Sequence, residues 1–326
     1  MEPTEIERVV TRASELVTTH YLCAQIGAEL GRLLRQRLAQ GHYHAAADPA
    51  ALAALVTADL QSHHHDRHLR LKHHPEPIPD SPEDEETGLA EALARQAAAS
   101  LGGVSRVERL PGNIAYLELG PLLFPPSMGG YAVVAAMQLV SSADALLLDL
   151  RTTVGGDPTT VALIISYLVD EPTHLQTMHL REPERAIQSW TLPYVPGPRF
   201  GGSKPVYVLT GADTFSGGEE LAYDLQQHGR ATVVGARTGG GAHPRIGFRV
   251  HPHLEVTVPI SRPTHPVSGT NWEGVGVVPD VPVAQEDARQ VAYQLARAQL
   301  AQTARPSQTP PNEQIADIAP ATTPVG

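Results

Sequence analysis

The chain has 326 residues, 41% of them hydrophobic and 18% charged, which is enough apolar material for more than one core. Its formal net charge of −11 excludes the concentrated positive surface that nucleic acid or an anionic membrane requires, so neither is expected as a partner. The single cysteine, Cys23, excludes an internal disulfide, no apolar stretch is long enough to span a bilayer, and the acidic start at Glu2 and Glu5 lacks the character of a signal peptide. The expected location is the cytoplasm.

Apolar residues recur at helical spacing through 5–40, as in Val9, Ala13, Leu16 and Val17 and then Ile26, Leu30, Leu33 and Leu34, which predicts two amphipathic helices. A third helix follows Asp48 and Pro49 and carries Leu52, Leu55, Val56 and Leu60, with Asp48 as its cap. The stretch 73–86 mixes Pro75, Pro77, Pro79 and Pro82 with acids and reads as a linker, with a short helix at 89–99 beyond it. Strands are then expected at 112–119, 145–150, 205–209 and 232–235, with helices between them at 132–140, at 159–169 and after Ser216. That alternation predicts crossover units and a mostly parallel sheet. A further strand is expected at 250–260, and a disordered tail from 303. The organisation is thus a helical domain over 1–74, a linker and short helix over 75–110, an α/β core over 111–302 and a tail over 303–326.

The most informative segment is KPVYVLTGADTFSGGEELAYDL, residues 204–225, where an apolar strand ends in a polar turn and a helix begins at Gly217. A serine at that junction presents its hydroxyl at the edge of the sheet, and the Gly217 amide points out of a helix N-terminus, where developing negative charge is favoured. Taken alone, a serine placed before a helix, as Ser216 is, usually reads as an N-cap. Two further segments accompany it: DLRTTVGGDP at 149–158, whose Gly155 and Gly156 can expose amides toward a ligand, and GTNWEGVGVVPDVPV at 269–283, which carries Glu273 beside Trp272. Arg151 reads as a brace for the glycine turn, and Glu219 as a helix-dipole carboxylate.

Together with HDRHLRL (65–71), GNIAYLEL, TFSGGEE and VVGARTGGGAHP, these motifs resemble the tail-specific, or C-terminal-processing, serine peptidases, in the branch similar to interphotoreceptor retinoid-binding protein. The resemblance covers nearly the whole chain. It implies an α/β core of the crotonase/Clp-protease type behind an N-terminal helical domain; the stretch between Leu71 and Gly112 is too short for an inserted PDZ module, and no cofactor is expected. It also implies Ser216 as nucleophile and an oxyanion site formed by the amides of Gly217 and of Gly155 or Gly156. Many such peptidases carry a base lysine in a Gly-Lys-Gly turn, but here the region reads Arg237 to His243 without one. Thr153 stands where that family's turn has asparagine. In the related tricorn-type peptidases the base is a histidine from an N-terminal segment, which implies His68 as base and Glu273 as its supporting carboxylate, although Arg67 replaces the neighbouring serine. An imidazole near its intrinsic pKa of about 6.5 suits that task at neutral pH.

The implied substrates are peptides or small acyl compounds. Two alternatives stand beside this reading: a carrier of an apolar ligand in the cleft between the domains, and an acyl-transfer enzyme of small-molecule biosynthesis. His243 is a second candidate base. The histidines at 63, 64, 65, 68, 73 and 74 lack companion ligands at ordered spacing, so no metal site is expected.

Overall fold

The computed structural model describes residues 1–79, 82–181 and 183–303. In chain order the helices are α1 (Pro3–His20), α2 (Ala24–Ala39), α3 (Pro49–Gln61), α4 (Pro82–Ala99), α5 (Pro126–Val140), α6 (Pro158–Leu168), α7 (Gly217–Gln227) and α8 (Ala288–Thr303). The strands are β1 (Arg70–His73), β2 (Val104–Leu110), β3 (Ile114–Leu119), β4 (Ala145–Asp149), β5 (His174–Leu180), β6 (Arg185–Trp190), β7 (Val206–Thr210), β8 (Thr232–Gly235), β9 (Arg245–His251), β10 (Leu254–Pro259), β11 (Ser261–Thr264) and β12 (Val281–Pro282).

The centre is a six-stranded sheet in the order β12-β8-β7-β4-β3-β2, parallel except where β2 pairs antiparallel with β3. Its inner strands are apolar on both faces because helices cover both. Leu146, Leu148, Val206 and Val208 face a core shared with α5, α6 and α7, while Leu147, Tyr207 and Leu209 face α8 through Ala288, Ala292 and Ala296. The mixed α/β architecture read from strand and helix alternation is therefore present, with α5, α6 and α7 in the β3–β4, β4–β7 and β7–β8 crossovers, while the chain from β8 to β12 passes through β9, β10 and β11 instead.

A second core lies at the N-terminus, where α1, α2 and α3 pack on one face of a three-stranded sheet β1-β10-β9. Leu71 pairs with Val256, which pairs with Phe248, and this row faces the helices. Two strands from the second half of the chain thus complete the N-terminal unit. Sequence periodicity cannot reveal this, because the partners of β1 lie about 180 residues away in the chain. The third sheet, β11-β5-β6, includes a hairpin that the pattern did not suggest.

The Pro-rich linker lies along the β9–β10 turn, where His74 N–H donates to His253 O and Ile78 N–H to Pro252 O. The helix beyond it starts at Pro82 rather than near 89, with proline at the first turn, where its missing N–H costs nothing. The tail expected from 303 falls, beyond Thr303, outside the described residues.

Candidate active site

Ser216 ends the loop that follows β7 and opens α7. It adopts φ +51° and ψ −119°, a conformation that costs a non-glycine residue roughly 1–3 kcal/mol and differs from the extended backbone of an ordinary N-cap. The surroundings hold it there. Ser216 N–H donates to Glu219 Oε2 at 2.9 Å, the same oxygen accepts from Gly241 N–H at 2.9 Å, and Oε1 accepts from Thr238 Oγ1 at 2.5 Å and Gly240 N–H at 2.6 Å. Glu219 is fully buried, so burial pushes its carboxyl up, and these four donors oppose that shift. A residue read as a helix-dipole carboxylate is in fact a staple between the Ser216 turn and the 238–241 loop. The spacing of Ser216 and Glu219, that of a capping box, was the available signal.

The glycine turn lies directly against this serine. A side chain on Gly155 would lie 3.3 Å from Ser216 Cβ and 3.7 Å from its Oγ, and one on Gly217 would lie 2.9 Å from Gly156 N. Gly155 and Gly156 have φ of +147° and +148°, which few other residues tolerate. Among the described residues neither of their amides donates to an acceptor. Thr153, in the asparagine position, supports the turn by donating from Oγ1 to Leu119 O at 2.7 Å and accepting at its carbonyl from Phe215 N–H at 3.0 Å. Arg151 braces the turn through Asp149, Nη2 to Oδ2 at 2.6 Å, and through Gln285 O at 2.8 Å. The structure therefore brings Ser216, Gly217, Gly155 and Gly156 together.

The histidines arrive from the other unit. His68 is 8% exposed, its ring lies 4.8 Å from that of Phe215, and a side chain on Gly241 would lie 2.9 Å from its Cε1. Its carbonyl accepts from Thr257 Oγ1 at 2.6 Å, which ties it to β10. Arg67, in the place of the tricorn-type serine, also packs on Phe215, at 5.1 Å from the ring centroid, and donates to Gly239 O at 3.0 Å. The segment 67–68 is thus docked on Phe215, the residue adjoining Ser216. Burial holds the His68 imidazole down at about 4, with Arg245, His243 and Arg70 disfavouring its protonation and Asp66 favouring it. Its Nδ1 is buried without a hydrogen-bond partner.

Glu273 reaches a different imidazole. Its Oε2 accepts from Ala242 N–H at 2.5 Å and His243 N–H at 3.2 Å and lies 3.5 Å from His243 Nδ1, while Oε1 is buried and unpartnered. Burial and then the charge of Asp66 raise the Glu273 carboxyl to about 7. Asp66, which the sequence gave no reason to single out, is the hub. It accepts from Tyr21 Oη at 3.0 Å and His68 N–H at 3.0 Å, and pairs with His243 Nδ1 at 2.9 Å. Asp66, His243 and Glu273 offer three ligand atoms within 4.8 Å of one another, the one such trio among the described residues, and their mutual hydrogen bonds already use most of these atoms. Of the histidine-rich tract, residues 63, 64 and 65 are exposed, and His74 pairs with Glu255 at 2.8 Å.

No helix of the described residues is long and apolar enough to cross a membrane. In overall architecture the chain is similar to a lipoprotein from Streptococcus agalactiae, with 13% identity over 92% of this chain and 98% of that one and a TM-score of 0.61. It is similar also to mature CPAF complexed with lactacystin, at 11% identity, 92% and 98% coverage and a TM-score of 0.58. The tricorn protease matches at 14% identity and a TM-score of 0.60 over 92% of this chain and 37% of that larger one. At these identities the likeness is one of fold. Residues 3–101 match the N-terminal domain of Peptidase_S41 in eukaryotic IRBP. Residues 114–283, just over half of the chain and the span that holds the strained serine and its glycine turn, match peptidase family S41, and the chain belongs to that family of serine-peptidase-like hydrolases.

Proposed function

We propose that the chain cleaves peptide bonds through an acyl-enzyme on Ser216, with His68 as base, Glu273 as the carboxylate that supports it, and the amides of Gly217 and Gly155 or Gly156 as oxyanion donors. The observation that carries this reading is the strained Ser216 set against a glycine turn whose amides have no other acceptor. Ser216 Oγ attacks the carbonyl carbon while its proton passes to His68, and the carbonyl oxygen takes the negative charge. Collapse of the tetrahedral adduct breaks the C–N bond, the amine leaves with the proton from His68, and water then hydrolyses the ester by the same route.

Burial keeps His68 neutral at pH 7, so it is present in the accepting form, but burial also penalises the imidazolium formed during transfer. A carboxylate must offset that penalty. His68 Nδ1 and Glu273 Oε1 are each buried with an unused hydrogen-bonding position, which supports their recruitment when substrate closes the cleft. We read the α/β unit as a crotonase/Clp-type core. Between β1 and β2 the described residues form only a loop, α4 and a turn, which leaves an inserted PDZ module out of the proposal.

Labelling with a fluorophosphonate, followed by mass mapping, tests this directly. One adduct on Ser216, absent from folded Ser216→Ala, is the expected result. Labelling elsewhere, or none on folded protein, would overturn the nucleophile and favour a carrier.

A further inference from the structure

Asp66, His243 and Glu273 meet from three separate stretches of chain, one in the N-terminal unit and two in loops of the second half. His243 Nδ1 lies 2.9 Å from Asp66 Oδ2 and 3.5 Å from Glu273 Oε2, and the three ligand atoms fall within 4.8 Å of one another. A four-coordinate Zn²⁺ holds nitrogen and oxygen ligands at about 2.0–2.2 Å, which sets them about 3.4 Å apart, so side-chain adjustments of about 1 Å seat an ion here.

The surroundings differ from a solvated acidic patch. Asp66 is 2% exposed and His243 8%, and among the described residues the His243 ring is the one ion-pair partner of either carboxylate. Two buried carboxylates around one imidazole cost stability that a dication offsets. Outer hydrogen bonds fix the ligands from behind: Tyr21 Oη donates to Asp66 Oδ2 at 3.0 Å, and Ala242 N–H and His243 N–H donate to Glu273 Oε2 at 2.5 and 3.2 Å. Glu273 Oε1 is buried with no partner, a carboxylate oxygen that nothing among the described residues uses. His68 leans on the same loop, its Cε1 2.9 Å from where a side chain on Gly241 would lie, and its Nδ1 is likewise buried and unpartnered. The contact of His243 Nδ1 with Asp66 runs through one proton; an ion takes its place at Nδ1 as the proton passes to Nε2 of the same ring. An imidazole beside two carboxylates selects the Zn²⁺ class over Mg²⁺ and Ca²⁺, which prefer oxygen ligands alone.

We infer that Asp66, His243 and Glu273 form a site for a divalent transition-metal ion of the Zn²⁺ class, and that the ion, when bound, silences Ser216. The ion site stands on geometry, whereas the silencing rests on the peptidase reading, in which Glu273 lends its charge to His68. An ion on Glu273 withdraws that charge, and its own positive charge opposes formation of the His68 imidazolium. Because the ligands come from both units, the ion also ties the 65–71 segment to the loops carrying His243 and Glu273.

Calorimetric titration of ZnCl₂ into the full-length, chelator-dialysed Ser216→Ala chain tests the site without turnover. One ion per chain should bind, on the order of 10²-fold or more tighter than Mg²⁺. His243→Ala and Glu273→Gln should each weaken it by on the order of 10²-fold, whereas replacing the exposed tract by His63→Gln, His64→Gln and His65→Gln together should change it by about twofold or less. Co²⁺ supplies a readout that does not depend on stability: the parent chain should show the visible absorption of an imidazole-bound, four-coordinate ion, and both single variants should lose it. No saturable binding, equal affinity for Mg²⁺, affinity that survives both single variants, or binding that vanishes with the tract histidines instead would overturn the site. On the native chain, saturating Zn²⁺ should slow fluorophosphonate labelling of Ser216 by on the order of tenfold, and a chelator should restore it. Labelling that bound Zn²⁺ leaves unchanged overturns the silencing. An absence of labelling in the metal-free native chain overturns the nucleophile and the silencing with it, while calorimetry still decides the ion site.

Discussion

The two halves of the candidate site are built differently. The half that holds the proposed nucleophile, comprising Ser216, Gly217, the glycine turn and Glu219, comes wholly from the α/β core, and each carboxylate oxygen of Glu219 accepts two donors. The histidine half comes from the 65–71 segment and from the loops carrying His243 and Glu273, and it retains orphaned atoms at His68 Nδ1 and Glu273 Oε1. The difference teaches where rigidity is needed. An oxyanion site acts through dipoles fixed before reaction, whereas a proton acceptor can complete its hydrogen bonds only when substrate is present.

The most damaging way to probe this contrast is at the base. His68→Ala should lower kcat/KM for a peptide ester by on the order of 10³-fold, and His243→Ala by much less. If His243→Ala proves the more costly, the two imidazoles exchange roles and the Asp66–His243 pair becomes the base unit.

Glu273→Gln comes next, with a loss on the order of 10²-fold at pH 8. Because His68 titrates at about 4, its base form is complete well below neutrality and it does not generate the rise near pH 6.5 expected from an unperturbed histidine. The rise belongs to Glu273, which gains its charge as pH passes about 7, and a pH–rate profile should lose that limb in the Gln variant. Stability moves in the opposite direction. A carboxyl raised by folding binds a proton that the unfolded chain has released, so its contribution is lost as pH climbs from about 4.5 through about 7. Melting temperatures at pH 5 and pH 8 should therefore lie closer together in Glu273→Gln than in the parent chain.

On the nucleophile side, Glu219→Gln turns an amide NH₂ toward backbone donors and should cost about 2 kcal/mol in denaturant titration, with loss of Ser216 labelling. If stability is unchanged, the staple is not what holds the serine. The smallest effect is a gain. Ser216→Gly removes the side chain from a φ of +51° and should raise stability by about 1 kcal/mol while abolishing the adduct.

Periodicity made α1, α2 and α3 legible, and short apolar runs separated by helix-length segments made β3, β4, β7 and β8 legible, because burial on both faces leaves a local record in the sequence. Ser216, Gly217, Gly155 and Gly156 were legible for a similar reason: a strand–turn–helix junction and a glycine pair are local signatures of backbone geometry. What the sequence by itself determined is thus the parallel α/β core and the side of the site built from its turns. Tertiary structure alone decided that β9 and β10 complete the N-terminal unit, that Glu219 staples the serine turn to the 238–241 loop, and that Asp66 joins Tyr21, His68 and His243 across as many as 177 residues of chain. It decided also that Glu273 lies against His243. These features depend on desolvation and on contacts between distant segments, and neither leaves a periodic trace in the residues that make them.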